Sequence, residues 1–235
     1  ELPNNGGLYA TDPIVGDLMF VQAGSFTQGS PTDEPCRYTD ETQFNHTLTR
    51  NMAVMASEIS RQMWADLKSV QSSLPDAPSE VQMSPSLDHP VQMVSWYKAV
   101  LFANLLSIQG GLSPCYYKDA SFTQPVTASN YQSGSFYCKW NANGYRLPSE
   151  GEAEFYFRGG TTTPFSVNEP NYNIYTCNAD TPNPSLSMLD RVAWYGTNAG
   201  EQTHPVASKS ANPYGLHDVH GNVYEWCWDL SASYP

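Results

Sequence analysis

A chain of 235 residues is long enough for one large or two small domains, each with a buried core. Its 11 Lys and Arg stand against 23 Asp and Glu, and a net charge of -12 excludes nucleic acid as the main partner, because a polyanion is held by clustered cations. No apolar run approaches the roughly 18–20 residues that cross a bilayer, and aromatics at 13% supply the burial that disordered chains lack.

Residues 1–17 are polar and rich in Gly and Pro and read as a lead-in arm; 18–235 read as one continuous domain without repeats or linkers. Leu18-Met19-Phe20-Val21 and Ala23-Gly24-Ser25-Phe26 predict two strands, closed by Gly29-Ser30. Thr47-Leu48-Thr49 and Met52-Ala53-Val54-Met55 predict further short strands. After Ser57 or Ser60, the three- and four-residue spacing of Met63, Trp64, Leu67 and Val70 predicts a helix with one apolar face. Residues 72–90 are Pro/Ser/Asp loop. Ser95 is the expected N-cap of a second helix, whose stripe runs through Trp96, Ala99, Val100, Ala103 and Leu106 to a stop at Gly110-Gly111. Ser149 and Glu152 form a Ser-x-x-Glu capping box for a third, short helix ended by Gly159-Gly160. Residues 161–190 are irregular, and Val192-Ala193-Trp194-Tyr195 reads as strand. The result is a loop-rich α+β chain with little regular secondary structure.

Cys36, Cys115, Cys138, Cys177 and Cys227 contain no C-x-x-C pair and no zinc-ligand spacing. Cys115 and Cys138 bracket a Tyr/Ser/Thr/Asn-rich excursion without a core pattern, which favours disulfide closure in an oxidising compartment. Scarce Lys and abundant Ser, Thr, Tyr and Asn point the same way, to an extracytoplasmic chain: secreted, periplasmic or on the cell surface. There is no Ser-His-Asp order, no Gly-x-Ser-x-Gly elbow and no phosphate-cradling loop. His217 and His220 read as exposed or hydrogen-bonded imidazoles. The stronger chemical signal is Asp218 and Glu225, seven positions apart across a Gly-containing turn. Such a turn can aim backbone carbonyls inward while the carboxylates supply charge, as calcium requires.

Several ordered blocks resemble the formylglycine-generating enzyme family, the sulfatase-modifying factors. They are Val21-Gln22-Ala23-Gly24-Ser25-Phe26, Glu58-Ile59-Ser60-Arg61-Gln62-Met63-Trp64, and His89-Pro90-Val91 leading to Val94-Ser95-Trp96-Tyr97-Lys98-Ala99. Gly144-Tyr145-Arg146-Leu147-Pro148-Ser149-Glu150 and Gly215-Leu216-His217-Asp218-Val219-His220-Gly221-Asn222-Val223-Tyr224-Glu225-Trp226 carry the densest match. The resemblance implies a C-type-lectin-like arrangement, with two helices flanking small twisted sheets. It further implies structural calcium held by the Asp218 and Glu225 side chains and the Gly221 and Val223 carbonyls. Asn173, Ile174 and Asp190 correspond to a second calcium site.

The family's oxidase activity resembles copper-thiolate chemistry on a cysteine pair downstream of an Arg-Gly-Gly-Ser-Trp block. Neither is among these residues, so the C-terminal part of the family fold is expected to be absent from this chain. No catalytic or other cofactor-binding residue is assigned, and copper enters only if that segment is restored. The expected function is a non-catalytic, calcium-stabilised binding or structural module. Its partner would be a protein, a glycan, or its own missing C-terminal segment as a second chain. The alternative is the larger fragment of an active copper-dependent oxidase that converts a sulfatase cysteine to formylglycine.

Overall fold

The computed structural model describes residues 1–34, 37–77, 79–163, 165–166 and 186–229, the last span with side chains from 189 onward. The chain divides into two compact units, one formed by residues 1–58 and 149–235, the other by residues 59–148.

In the first unit, β1 (Leu8–Asp12), β2 (Gly16–Val21) and β5 (Met52–Met55) form an antiparallel sheet with β2 central. The first strand falls inside the stretch expected to be an arm. Gly6 and Gly7 turn the chain back onto Phe20, the Gly6 N–H donating to the Phe20 carbonyl and the Phe20 N–H to that of Gly7. An exposed edge strand needs no apolar pattern, which is why its composition reads as loop. β3 (Ser25–Gln28) and β4 (Phe44–Thr47) make a separate hairpin-like pair.

Helix α3 (Glu150–Arg158) starts at the expected capping box. Ser149 Oγ accepts from the Glu152 N–H while Glu152 accepts from the Ser149 N–H, and Gly159 closes the helix in the left-handed region at φ 57°. Its inner face packs Ala153, Phe155 and Tyr156 with Val21, Leu48 and Leu216 into the core of this unit. Val192, read as strand, instead ends α4 (Leu186–Val192), and the Ala193 N–H still donates to the Leu189 carbonyl. A β-branched residue is a weak vote once helical hydrogen bonds are available.

In the second unit, α1 (Arg61–Val70) begins at Ser60, whose hydroxyl accepts from the Met63 N–H. α2 (Trp96–Gln109) begins at Ser95. The Trp64 and Phe102 rings stack at 4.9 Å between the two helices. β6 (Tyr116–Tyr117) and β7 (Tyr137–Cys138) form a short antiparallel ribbon. The expected disulfide at its base is not formed. Cys115 and Cys138 are thiols, and the Cys115 Sγ donates to the Gly144 carbonyl at 3.3 Å. The excursion is closed by backbone pairing instead: Tyr116 lies opposite Cys138, and the Lys139 N–H donates to the Cys115 carbonyl.

Candidate functional site

The densest polar constellation surrounds residues 218–225, in the first unit. Two non-glycine residues of this turn have positive φ, Asp218 at 60° and Asn222 at 68°, a conformation that short polar side chains tolerate best. Between them Gly221 lies so close to the Trp194 backbone that a Cβ would stand 2.0 Å from its carbonyl oxygen, so any side chain is excluded. The Asn222 N–H donates to that same oxygen at 2.8 Å. The Trp194 indole meets the His204 ring, stacked at 3.6 Å, and the Lys209 ammonium, 3.6 Å from the ring centroid.

Glu58, remote in sequence, pins the turn from the other side. One carboxylate oxygen accepts from the Asn222 amide at 2.7 Å and the other from the Val223 N–H at 3.2 Å. Asp218 is 2% exposed. Its Oδ2 accepts from the Ala207 N–H at 2.6 Å, but Oδ1, fully buried, has no hydrogen-bond partner. A buried carboxylate oxygen left alone costs about 1–3 kcal/mol or more, so this atom marks a place where something positive fits.

The electrostatics agree. Burial, then the charges of Glu225 and Asp218, hold the Glu58 carboxyl well above its ordinary range. Burial raises Asp218, only partly offset by the Ala207 N–H and by His217 and Lys209. Glu225 is an exposed residue, yet loss of hydration around its carboxyl and the Asp218 charge push that carboxyl up to about 7. Glu58 and Glu225 have no positive charge acting on them, and only Asp218 is partly offset by cations. Among the described residues, no three His, Cys, Asp or Glu side chains are arranged to hold a metal ion by themselves, so a cation here would be completed by backbone carbonyls. The donor set is all oxygen, the chemistry of a hard divalent cation rather than a soft one.

The other sequence-selected residues separate. Asp190 Oδ1 accepts from the Tyr195 hydroxyl at 2.6 Å and from the Asn198 amide at 3.0 Å. Asn173 and Ile174 lie outside the described residues. His217 and His220 face different segments: His217 Nδ1 bonds the Lys209 carbonyl at 2.8 Å, and His220 Nε2 accepts from the Ser166 N–H at 2.9 Å. Burial lowers His220 to about 4, so it is neutral with its proton on Nδ1. Cys115 and Cys227 are poor nucleophiles. Burial raises Cys115, and burial followed by the charges of Glu150, Asp229, Glu225 and Glu152 lifts Cys227 to about 11. Glu58 and Asn222 were absent from the sequence-based site. The only local hint of Glu58 was a single acid between an apolar strand and a helix N-cap.

Known proteins sharpen this picture. The sulfatase-modifying factor enzyme 1-like domain matches residues 8–234. The chain belongs to that family. Within reach of the family, the chaperone protein LppX of Paenibacillus barcinonensis is 30% identical over 92% of this chain and 72% of its own length. The formylglycine-generating enzyme of Thermomonospora curvata is 29% identical over 62% of this chain, and the match spans 46% of that enzyme. Among solved structures, Treponema denticola variable protein 1 is similar with a TM-score of 0.69 and 27% identity, over 96% of this chain and 78% of that one. The formylglycine-generating-enzyme-like fold is therefore the framework on which the turn at 218–225 is carried.

Proposed function

We propose that this domain is a calcium-stabilised, non-catalytic binding module working outside the cytoplasm. The observation that carries the reading is the partnerless, buried Asp218 Oδ1 beside two further acids that lack a counter-charge. Asp218 and Glu225 would hold the ion with their side chains, and Gly221 and Val223 with their carbonyls. Bound calcium supplies two positive charges that neutralise the cluster. Glu58 holds the turn through Asn222 and Val223.

Three features favour binding over catalysis. Cys115 and Cys227 are pushed toward the protonated form, the opposite of what a nucleophile or a copper(I) ligand needs. The relative matched over most of the chain bears the name of a chaperone, a protein that handles other proteins. Tyr224, fully exposed, and the half-exposed Trp226 offer a protein partner two anchors of the kind that dominate interfaces. The Lys-poor composition supports the extracytoplasmic placement, and among the described residues no helix is long and apolar enough to cross a membrane.

The second reading is the copper-dependent oxidase, favoured by the similarity to a formylglycine-generating enzyme. One experiment separates them. The chain is incubated with copper(I), oxygen and a Cys-x-Pro-x-Arg peptide while calcium binding is followed by melting temperature with and without chelator. A calcium-dependent melting shift with no aldehyde supports the module; aldehyde formation overturns it in favour of the oxidase.

A further inference from the structure

The second unit carries a surface of opposite character. Between Asp88 and Glu150 the sequence holds four Lys and Arg (Lys98, Lys118, Lys139, Arg146) against the single acid Asp119, inside a chain whose net charge is -12. The Asp119 carboxylate is occupied by its own loop, accepting from the Thr123 and Gln124 N–H groups. Two of the four, Lys118 and Lys139, directly follow the strands of one short ribbon, and where cations are this scarce such a pair creates a local positive field.

The ribbon's geometry sorts the side chains. Tyr117 and Tyr137 are directly opposite in the antiparallel pair and so share a face, and Lys139, two residues beyond Tyr137, joins them. Tyr116 and Cys138 take the other face and are buried, and of the outer-face residues Tyr117 is buried as well. On the outer face the Lys139 ammonium lies 6.0 Å from the Tyr117 ring centroid. Phe122, held at φ 56°, meets the same ring edge-on at 5.4 Å. Tyr137 is 39% and Phe122 36% exposed, each keeping a ring surface for contact. Beyond the strand, the Arg146 guanidinium stacks over Trp140 at 4.8 Å and extends the alternation of ring and cation.

We propose that the outer face of the β6–β7 ribbon binds a short acidic oligosaccharide, with Tyr137 and Phe122 against the sugar and Lys139 on its carboxylate. A pyranose ring has an apolar C–H face and a polar rim. Aromatic side chains cover the first at little entropic cost, and a cation beside them reads the charge on the second. The number of cations selects the size of the ligand. A nucleic acid strand presents a phosphate at every nucleotide and is held by a row of Lys and Arg, whereas this face offers few, on a chain that repels an extended polyanion. A short uronic-acid oligosaccharide, with a few carboxylates spread along apolar ring faces, matches that charge. The proposal is independent of the calcium turn, which belongs to the other unit.

The test is calorimetric titration of the whole chain with tetragalacturonate, its methyl ester and octathymidylate at low ionic strength. Tetragalacturonate should bind, and the ester, which keeps the rings and loses the charges, should bind at least about tenfold more weakly. Lys139→Gln and Tyr137→Ala should each weaken tetragalacturonate by about tenfold or more with the melting temperature unchanged, since both side chains lie on the outer face. Lys139→Gln removes the charge and keeps a polar side chain, so it reads charge even if Tyr137→Ala disturbs the ribbon. Absence of tetragalacturonate binding, binding indifferent to Lys139→Gln, or tighter binding of octathymidylate overturns the proposal.

Discussion

The two units solve the same problem with opposite leftovers. Both are built mostly of loops, and both use a buried asparagine where a longer ladder would otherwise pair the backbone. In the second unit Asn104, fully buried on α2, donates to the Tyr116 and Val126 carbonyls and accepts from the Tyr116 N–H. In the first, Asn212 donates to the Tyr156 and Phe157 carbonyls and accepts from the N–H groups of Tyr214 and Leu216. A side-chain amide carries two donors and an acceptor with two lone pairs, enough to replace several backbone partners. The units differ in what remains. Among the described residues the single buried side-chain oxygen without a partner belongs to Asp218 in the first unit, while the second gathers cations on an open face. An interior deficit of positive charge calls for an ion, and a surface excess of it calls for an anionic ligand.

The largest break in that comparison should come from Gly221→Ala. The new methyl would meet the Trp194 carbonyl, a backbone atom that has no room to yield. A loss on the order of 4 kcal/mol is expected, read as an early unfolding transition and as lost calcium response. Next comes the ion itself. Chelation should lower the melting temperature by about 5–10 °C if calcium is present near a hundredfold its dissociation constant, and Glu225→Ala should abolish the response; a melting curve indifferent to chelator would refute the site. Asn104→Ala should cost about 2–3 kcal/mol by leaving buried backbone groups of the second unit unpaired. Denaturant melts should show that loss with calcium binding retained.

The smallest effect is one of pH. With calcium removed, the folded chain holds the Glu225 proton more tightly than the unfolded chain does, because its carboxyl is raised from 4.5 to about 7. The stability this contributes is fully present below pH 4.5 and is lost as pH rises through 7. Glu58 and Asp218, also raised, act in the same direction. The chelated protein should therefore melt a few degrees higher at pH 5 than at pH 8, at about 2–4 °C per kcal/mol. Glu225→Gln should flatten that slope, and saturating calcium, which favours the ionised acids, should reverse it.

Much of the frame was legible before the fold. Ser60, Ser95 and Ser149 each cap the helix they were expected to start, because capping depends on residues three apart and on little else. Asp218 and Glu225 were legible as a pair because a turn brings seven positions together locally. Glu58 was not, since its contacts with Asn222 and Val223 span more than 160 residues. The edge strand β1 escaped because exposure erases the apolar alternation. The thiols of Cys115 and Cys138 escaped because bracketing a loop says nothing of which faces two cysteines take on a ribbon.

What the amino-acid sequence determined by itself was the family, the helix starts and the acidic turn, all encoded in short-range spacing where neighbouring residues fix each other's geometry. What only the tertiary structure decided was which of those acids lack a partner, which third acid joins them, and that scarce cations meet aromatic rings on one face. Charge balance at a point depends on every group folded around it, however far away in the chain.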